Sequence, residues 1–381
     1  IPLRLVGSEM CIRDSISCPC LKNHMAFWST IQGKFMPQIS TLDEDLLAKY
    51  LAKNIDDFQG PLTVTKFAGG QSNPTYKVDS ISGSYVLRRQ PPGKLLKSAH
   101  AVDREFRVIS ALKDSEVPVA KAYHLCEDPD VIGSMFYIME YCDGNIHWAS
   151  KLDDISTNQK RGEMYDEMNR VLAAMHSVDI EQVGLGDYGR PGNYYERQFT
   201  RWSGQYRASE MRIIPEMDKL ISWLQNSLPD DDGKIALVHG DYRLDNVMFS
   251  KDNQHIIAVL DWELSTLGHP YADLAYQCMG LRLPARDIKN VMSGLGGIDA
   301  PSLGIPTEEE YVRTYCKRMG IDGIDNWGFY LSFSCFRLAA ITQGVAKRAV
   351  DGNASSPAAD GYASMVKPLA EMGLSCIDSR I

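Results

Sequence analysis

Hydrophobic residues follow a strand pattern in the first part of this 381-residue chain and a helical pattern after about residue 144. Three short segments rich in β-branched and aromatic residues, with turn residues between them, are predicted to pair as antiparallel hairpins: 62–67, 75–79 and 85–89. Two segments with apolar residues at helical spacing are predicted helices: 43–54 and 98–114. A further strand is predicted from Phe136, and it ends at the turn residues Asp143 and Gly144.

Helical patterns dominate the rest of the chain. Four segments are predicted to form helices: 161–178, 194–209, 213–228 and 327–350. Thr307 and Glu310 have the spacing of a capping box at the start of another helix. This order of elements predicts an α+β fold of two lobes. Residues 37–143 would form a small lobe with an antiparallel sheet and a helix, and residues 144–381 a larger, mainly helical lobe.

Residues 1–36 have neither helical nor strand periodicity, and the chain begins at Ile1 and not at a methionine. A secretory signal would have a basic start and a continuous apolar segment, which this stretch lacks. We expect residues 1–36 to be a non-native or disordered leader, with Met25 or Met36 as the natural start. A damaged organelle-targeting segment is the alternative.

The composition excludes several classes of partner. A formal net charge of −9 disfavours a surface that binds polyanions, so we do not expect nucleic acid as a partner. No apolar run approaches the length that spans a membrane, so no membrane association is expected either. The nine cysteines show no metal-binding spacing, which favours reduced thiols and a cytoplasmic location.

Two apolar runs that lead into acidic residues carry the most specific motif. The first reads Leu-Val-His-Gly-Asp-Tyr-Arg-Leu-Asp-Asn over residues 237–246, and the second reads Val-Leu-Asp-Trp-Glu over residues 259–263. They place Asp241, Asn246 and Asp261 in the layout of a phosphoryl-transfer site. Asp241 would accept the proton of an attacking hydroxyl, and Asn246 and Asp261 would hold Mg²⁺ at the phosphates of ATP.

An ordinary hairpin turn is the alternative interpretation of Asp241 and Asn246, because Asp and Asn are common in turns. Asp261, at the end of a second apolar run, favours the phosphoryl-transfer interpretation. Arg243 would reach the γ-phosphate and balance charge on the transferring group. Glu263 would contact metal or substrate, or would simply be solvated.

A glycine-rich turn joins the first two predicted strands. A kinase covers the phosphates of ATP at this place with backbone N–H groups, which glycine allows to approach closely. On its own such a turn is more often only a connection between strands. The residues predicted to contact the nucleotide here are Gly69, Gly70, Gln71, Ser72 and Asn73.

The third strand and the helix after it supply an ion pair. Val86 and Arg88 share a face, because alternate residues of a strand point the same way. Val86 would lie against adenine, and Arg88 would take the place of the kinase lysine. Glu105 lies within the apolar stripe of the helix and needs a partner, for which Arg88 is suited. A solvated Glu105 at the edge of the stripe is the alternative.

These residues make the chain resemble the aminoglycoside phosphotransferase and choline kinase superfamily. The catalytic loop reads His239-Gly-Asp where protein kinases have His-Arg-Asp, and Asp261 stands in Leu-Asp-Trp-Glu and not in Asp-Phe-Gly. The resemblance implies a protein-kinase-like fold, ATP and Mg²⁺ as cofactors, and Asp273 as a support below the catalytic loop. It also implies that the backbone of the hinge residues Glu140, Tyr141 and Cys142 binds adenine. Arg88 departs from the lysine of the family, but it keeps the charge and can bind phosphate.

Further motifs narrow the resemblance. They are Gly-Gly-Gln-Ser-Asn-Pro at 69–74, Tyr-Val-Leu-Arg-Arg-Gln-Pro-Pro-Gly at 85–93, Arg-Gln-Phe-Thr-Arg-Trp at 197–202 and Phe-Arg-Leu-Ala-Ala-Ile-Thr-Gln-Gly at 336–344. They look like a subgroup of phosphotransferases found alongside, or fused to, acyl-CoA dehydrogenases. That similarity implies a kinase whose partner is a small hydroxylated acceptor, with hydroxyacyl-CoA as the suspected class. It also implies an acyl-CoA dehydrogenase in the same pathway.

Other functions stay open on the sequence. A pseudokinase that binds nucleotide as a regulatory module is one, because Arg88 is unusual, and an aminoglycoside- or choline-type kinase is another. A protein kinase is disfavoured by the absence of the Asp-Phe-Gly and Ala-Pro-Glu motifs. Arginine and aromatic residues over 194–207 favour an anionic, stackable acceptor. An ordinary solvated face with Trp202 buried is the alternative for this segment.

Overall fold

A computed structural model describes residues 42–67, 73–91, 100–190, 192–285, 293–351 and 359–381 of the protein. The small lobe is built on an antiparallel sheet whose strands are β1 (Leu62–Lys66), β2 (Thr75–Ser80), β3 (Gly83–Arg89), β4 (Ala122–Cys126) and β5 (Phe136–Glu140). Their order in the sheet is β1-β2-β3-β5-β4. Since β5 lies next to β3, the last strand of the lobe is inserted between strands that are distant in sequence.

Two helices cover this sheet. Helix α1 (Glu44–Asn54) packs against β1 and buries Leu47 and Leu51. Helix α2 (Val102–Ala111) packs against β4 and β5, and it has no side-chain cap at its N-terminus. Its stability therefore comes mainly from its buried face, which includes Glu105 beside Val108 and Ile109.

The central strand β3 positions the charged residue of the small lobe. Val86 lies opposite Met139 of β5, and Arg88 lies opposite Tyr137. Val86 and its neighbour Leu87 are both buried, so both faces of the strand are covered at this point. Arg88 is consequently held between the sheet and the helices and loops that come after β3 in the chain.

Two short two-stranded antiparallel sheets hold the acidic motif. Strand β6 (Ala236–Val238) pairs with β9 (Thr266–Gly268), and β7 (Val247–Phe249) pairs with β8 (Ile256–Val259). Asp241 lies in the connection between β6 and β7, and Asp261 lies between β8 and β9. The pairing of the strands therefore brings the two acidic loops to the same region.

Helices form most of the larger lobe. They are α3 (Asn158–His176), α4 (Tyr194–Ala208), α5 (Pro215–Asn226), α6 (Tyr271–Arg282), α7 (Glu308–Met319), α8 (Trp327–Val350) and α9 (Ala359–Ser375). Helix α8 is buried on all sides over most of its length and contacts α4, α5, α6 and α9. An apolar sequence without a polar face is typical of such a central helix. No helix in the described ranges is long and apolar enough to cross a membrane.

The predicted α+β fold, with a small antiparallel lobe and a larger helical lobe, is confirmed. Helix α8 has the predicted limits, and the capping box of Thr307 and Glu310 is present with bonds in both directions. Strand β4 and helix α9 were not predicted. The boundary between the lobes near residue 144 stays a prediction, and the leader of residues 1–36 lies outside the described residues.

Candidate active site

The loop that carries Asp241 is shaped by Gly240 and by a buried carboxylate. Gly240 has a left-handed backbone (φ +85°), and a Cβ atom there would lie 2.7 Å from the carbonyl oxygen of Leu264. Any larger residue would therefore displace the backbone. Asp273, fully buried in α6, accepts hydrogen bonds from the backbone N–H groups of His239 (2.6 Å) and Gly240 (2.8 Å). These two bonds fix the residues that immediately precede Asp241.

Two histidines complete this support. His176, at the end of α3, lies 3.5 Å from the carboxylate of Asp273 and hydrogen-bonds to the hydroxyl of Tyr315 (2.7 Å). Burial alone would raise the pKa of Asp273, but its contacts with His176 and then His239 hold that pKa below its usual value. His239 also bonds to the carbonyl oxygen of Leu260 (2.8 Å), which ties the catalytic loop to the end of β8. The prediction that Asp273 supports the loop agrees with this position.

Asn246 holds the carboxylate of Asp241. Its Nδ2 group donates to Oδ2 and to the backbone carbonyl of Asp241, both at 2.9 Å. Tyr276 is buried in α6, near the same carboxylate. Burial, and then the charge of Asp241, raises the pKa of Tyr276. Asp241 and Asn246 are both partly exposed, so a hydroxyl group can approach the carboxylate.

Arg243 lies in the same loop and is held by an acidic neighbour. Its Nη2 group donates to the carboxylate of Asp245. Burial opposes its charge, but Asp245 and then Asp241 raise the pKa of Arg243. Arg243 is therefore a charged group near Asp241, and its contact with the γ-phosphate stays a prediction.

Arg88 connects the two lobes at the centre of the site. Its Nε atom lies 2.7 Å from Oε2 of Glu105, and its Nη2 atom lies 2.5 Å from Oδ1 of Asp261. The predicted pair of Arg88 and Glu105 is thus present, and the contact with Asp261 was not predicted. Glu105 also accepts hydrogen bonds from the hydroxyl of Tyr137 (3.1 Å) and from Nδ2 of Asn73 (2.8 Å). Burial raises the pKa of Glu105, and Arg88 acts against that rise.

Glu105→Gln is expected to raise the KM for ATP or to lower kcat, because it removes the charge that positions Arg88. The loss of one charged hydrogen bond corresponds to about a tenfold change. Steady-state kinetics at varied ATP measures the effect. Glu116→Gln, at an exposed position after α2, is the matched control and should behave as wild type. Unchanged KM and kcat in Glu105→Gln would contradict a role for the pair in nucleotide binding.

Four of the residues that were predicted to contact the nucleotide lie outside the described residues: Gly69, Gly70, Gln71 and Ser72. Asn73 is fully buried, and its Oδ1 atom lies 3.1 Å from Nδ1 of His100. Its side chain therefore supports Glu105 from inside the lobe.

The predicted hinge follows the sheet directly. The backbone N–H group of Glu140 donates to the carbonyl oxygen of Lys121 (2.9 Å), so this group belongs to the sheet. Tyr141 and Cys142 come next and are partly exposed, and burial raises the pKa of Cys142 to about 11. Val86 is buried in the same sheet. Contacts of these four residues with adenine stay predictions.

Oxygen donors gather around Asp261, one of the two predicted metal ligands, and the side chain of the other, Asn246, bonds to Asp241. Ligand atoms of Glu105, Asp261 and Glu263 lie within 4.8 Å of one another, and Arg88 lies 3.9 Å from Glu263. The backbone carbonyl of Asn246 accepts a hydrogen bond from the N–H group of Leu260 (2.8 Å), which brings Asn246 next to Asp261. This oxygen-only donor set fits Mg²⁺, which needs few protein ligands besides phosphates. Asp261 is 37% exposed, so the donor set is reachable.

Arg337 contacts the catalytic loop and was not identified from the sequence as part of the site. Its Nη2 group donates to the backbone carbonyl of Gly240 (2.6 Å). The available signal was an arginine within the apolar run Cys335-Phe336-Arg337-Leu338, because a buried charge needs a polar partner. Tyr276 gave no comparable signal, since tyrosine in an apolar helix is usually a packing residue.

Comparison with known proteins identifies the family of the chain. Residues 63–303 match the phosphotransferase enzyme family (APH). The chain is 46% identical over 332 residues to acyl-CoA dehydrogenase family member 10 of Mus musculus, which covers 87% of this chain and 31% of that protein. The chain thus spans about a third of the length of this curated relative.

Solved structures show the same fold. A candidate aminoglycoside phosphotransferase from Ralstonia eutropha is 45% identical, with a TM-score of 0.81 over 90% of this chain and 100% of that one. A spectinomycin phosphotransferase, solved with ADP and spectinomycin, has 14% identity and a TM-score of 0.59 over 89% of this chain and 99% of that one. Its likeness shows the fold alone. The fold and the family match define a kinase-like phosphotransferase. The chain belongs to the phosphotransferase enzyme family, as the sequence resemblance predicted.

Proposed function

We propose that the protein transfers the γ-phosphoryl group of ATP, in the presence of Mg²⁺, to a hydroxyl group of a small metabolite. The observation that carries this proposal is the position of Asn246, whose side chain holds Asp241 and whose backbone carbonyl accepts a hydrogen bond from Leu260, the residue before Asp261, which pairs with Arg88. A base, a metal site and a phosphate-binding cation are the parts that phosphoryl transfer needs. The ADP and spectinomycin bound by a structural neighbour support a nucleotide donor and a small-molecule acceptor.

The chain's own residues have separate tasks in this reaction. Asp241 orients the acceptor hydroxyl and takes its proton as the oxygen attacks the γ-phosphorus. The new O–P bond forms as the bond from phosphorus to the β–γ bridging oxygen breaks, and ADP leaves. Arg88 and Arg243 hold the phosphate oxygens and balance their charge. Mg²⁺, held by Asn246 and Asp261, would neutralise charge on the phosphates when it is bound.

The acceptor class that we propose is a hydroxyacyl-CoA. The relationship to a protein named acyl-CoA dehydrogenase family member 10 supports it, and so does the arginine-rich helix α4. The aromatic residues of α4 are not the surface that the sequence suggested, because they are buried: Tyr194, Tyr195, Phe199, Trp202 and Tyr206. Arg201, by contrast, is exposed and can meet an anionic acceptor. An acyl-CoA dehydrogenase in the same pathway would be the functional partner.

Replacing Arg197 and Arg201 with Ala is expected to raise the KM for a CoA-linked acceptor by about tenfold or more. Each substitution would remove a charged hydrogen bond from the protein to the acceptor, while the KM for ATP should be unchanged. Steady-state kinetics with each substrate varied in turn measures both constants. Arg207→Ala is the matched control on the same helix, because Arg207 is paired with Asp218 at 2.6 Å. Unchanged acceptor kinetics would remove α4 from the acceptor site.

The central experiment is a transfer screen with radiolabelled ATP. Hydroxyacyl-CoAs, free hydroxy acids, amino alcohols, sugars and aminoglycosides are offered to the purified full chain. Labelled product from a hydroxyacyl-CoA, with the highest kcat/KM of the panel, is the expected result. A far higher kcat/KM for an aminoglycoside or choline would replace the proposed acceptor class. Nucleotide binding without transfer to any compound would favour a pseudokinase.

A further inference from the structure

A buried cation that forms no ion pair with any described residue lies beside the catalytic loop. Arg337, in α8, is 7% exposed. One of its nitrogens bonds to Gly240, but its Nε group has no hydrogen-bond partner in the part of the chain that is described. Among those residues it also forms no ion pair with a carboxylate. Buried charges are normally paired and hydrogen-bonded, so this guanidinium has an unused capacity to bind an anion.

A second arginine lies at the same indole ring. The Cζ atom of Arg337 is 5.6 Å from the ring centre of Trp202, and that of Arg201 is 5.1 Å from it. Arg201 is exposed and makes no ion pair with any described residue. Partial desolvation, and then the positive charge of Arg337, lower the pKa of Arg201. The two cations are therefore close enough to repel each other.

Arg337 lies near the proton acceptor of the proposed reaction, and Arg201 contacts the same indole ring as Arg337. Arg337 bonds to Gly240, the residue before Asp241, and its Cζ atom is 5.5 Å from the ring centre of Tyr276. Tyr276 in turn lies near enough to Asp241 for the charge of that carboxylate to raise the pKa of Tyr276. These contacts come from helices of the larger lobe, whereas Arg88, which takes the place of the kinase lysine, comes from the small lobe. Arg337 and Arg201 are thus placed on the acceptor side of the site.

We propose that Arg337 and Arg201 form an oxyanion-binding subsite for the acceptor, an inference that rests on the proposed phosphotransferase function. The ligand is a carboxylate or phosphate group that the acceptor carries near the hydroxyl deprotonated by Asp241. Guanidinium groups bind both kinds of oxyanion through paired N–H donors. The oxyanion neutralises two like charges. A cationic acceptor is disfavoured at this subsite, because it would add a third positive charge.

The test is an NMR titration of the full chain without nucleotide. The indole N–H resonance of Trp202, assigned with Trp202→Phe, reports on the ring that both arginines contact. Inorganic phosphate and acetate are added in separate titrations, and NaCl keeps the ionic strength constant because screening changes with salt. We expect at least one of the two anions to give a saturable shift with a Kd of about 1–10 mM, as for a small ligand held by two charged contacts.

Substitutions of the two arginines test whether they form the oxyanion-binding subsite. Arg201→Gln should weaken anion binding by about tenfold or more, and Arg207→Gln on the same helix should titrate as wild type. Arg337→Gln, checked for folding by its Tm, should also lose the titration. No saturable shift with either anion in wild type, or equal titrations in wild type and Arg201→Gln, would overturn the proposal. The anion that binds more tightly identifies the group as phosphate or carboxylate. Because no turnover is needed, this result is separate from the outcome of the transfer screen.

Discussion

Asp241→Ala is expected to lower kcat for phosphoryl transfer by about 10²–10⁴-fold, the range for loss of a general base. The carboxylate acts mainly in the transition state, when the attacking hydroxyl gives up its proton. Asn246 would lose one of its two hydrogen bonds to residue 241, but the bond to the backbone carbonyl would remain. The loop should therefore keep its position, so the loss reports on chemistry and not on folding.

ATP binding should survive in Asp241→Ala, because the ion pair of Arg88 and Glu105 does not involve residue 241. Single-turnover kinetics gives the rate of the chemical step, and calorimetry gives the Kd for ATP. Asp252→Ala is the control, since Asp252 is exposed in the turn of the neighbouring hairpin. Wild-type turnover in Asp241→Ala would show that the proton goes elsewhere.

Asp273→Asn is expected to reduce both stability and activity. One carboxylate oxygen that now accepts an N–H group of the catalytic loop would become an amide nitrogen, so two donors would face each other in a buried site. The cost is about 2–4 kcal/mol in the free energy of unfolding, the range for loss of a charged, buried hydrogen bond. The residues before Asp241 would also lose their fixed position, so kcat should fall even in the folded fraction.

Denaturant unfolding and kcat measured below the transition separate the two effects of Asp273→Asn. The contribution of Asp273 to the free energy of unfolding of the wild-type protein also depends on pH, and the direction of that dependence is defined. Because the pKa of Asp273 is lowered on folding, its stabilisation is present above its usual value of 3.8 and is lost as the pH falls through the lowered pKa. Asp273→Asn should lose that dependence. Asp322→Asn, at an exposed position, is the control, and equal stability of the two variants would contradict the proposed support.

The parts of the fold that follow from local patterns could be predicted from the sequence. Helix α8 is apolar along its length and ends as predicted, and the capping box at Thr307 depends only on two residues in the chain. Strand β4 was missed because its residues are mostly half-buried and show no clear alternation. Helix α9 contains Pro368, which normally argues against a helix. Both elements depend on packing partners that are distant in sequence.

The same distinction between local patterns and distant contacts applies to the residues of the site. The spacing of Asp241 and Asn246 is local, and the pair of Arg88 and Glu105 follows from strand and helix periodicity. The contact of Arg88 with Asp261 joins residues that are 173 positions apart, and it depends on how the lobes meet. Arg337 reaches Gly240 across 97 positions for the same reason. Neither distance can be read from a periodic pattern.

The backbone conformation at Asp261 restricts which substitutions are useful as experimental probes. It also restricts which substitutions can be accepted there during evolution. Its φ of 62° and ψ of 60° place it in the left-handed region, which costs most residues roughly 1–2 kcal/mol but is tolerated by Asp, Asn and Gly. An alanine at this position would therefore combine strain with the loss of a carboxylate. Asparagine removes the charge and keeps the conformation, so it is the cleaner probe of the acidic group. In a relative that has lost catalysis, asparagine or glycine is expected to replace Asp261 before any other residue. The left-handed backbone at this position disfavours the others.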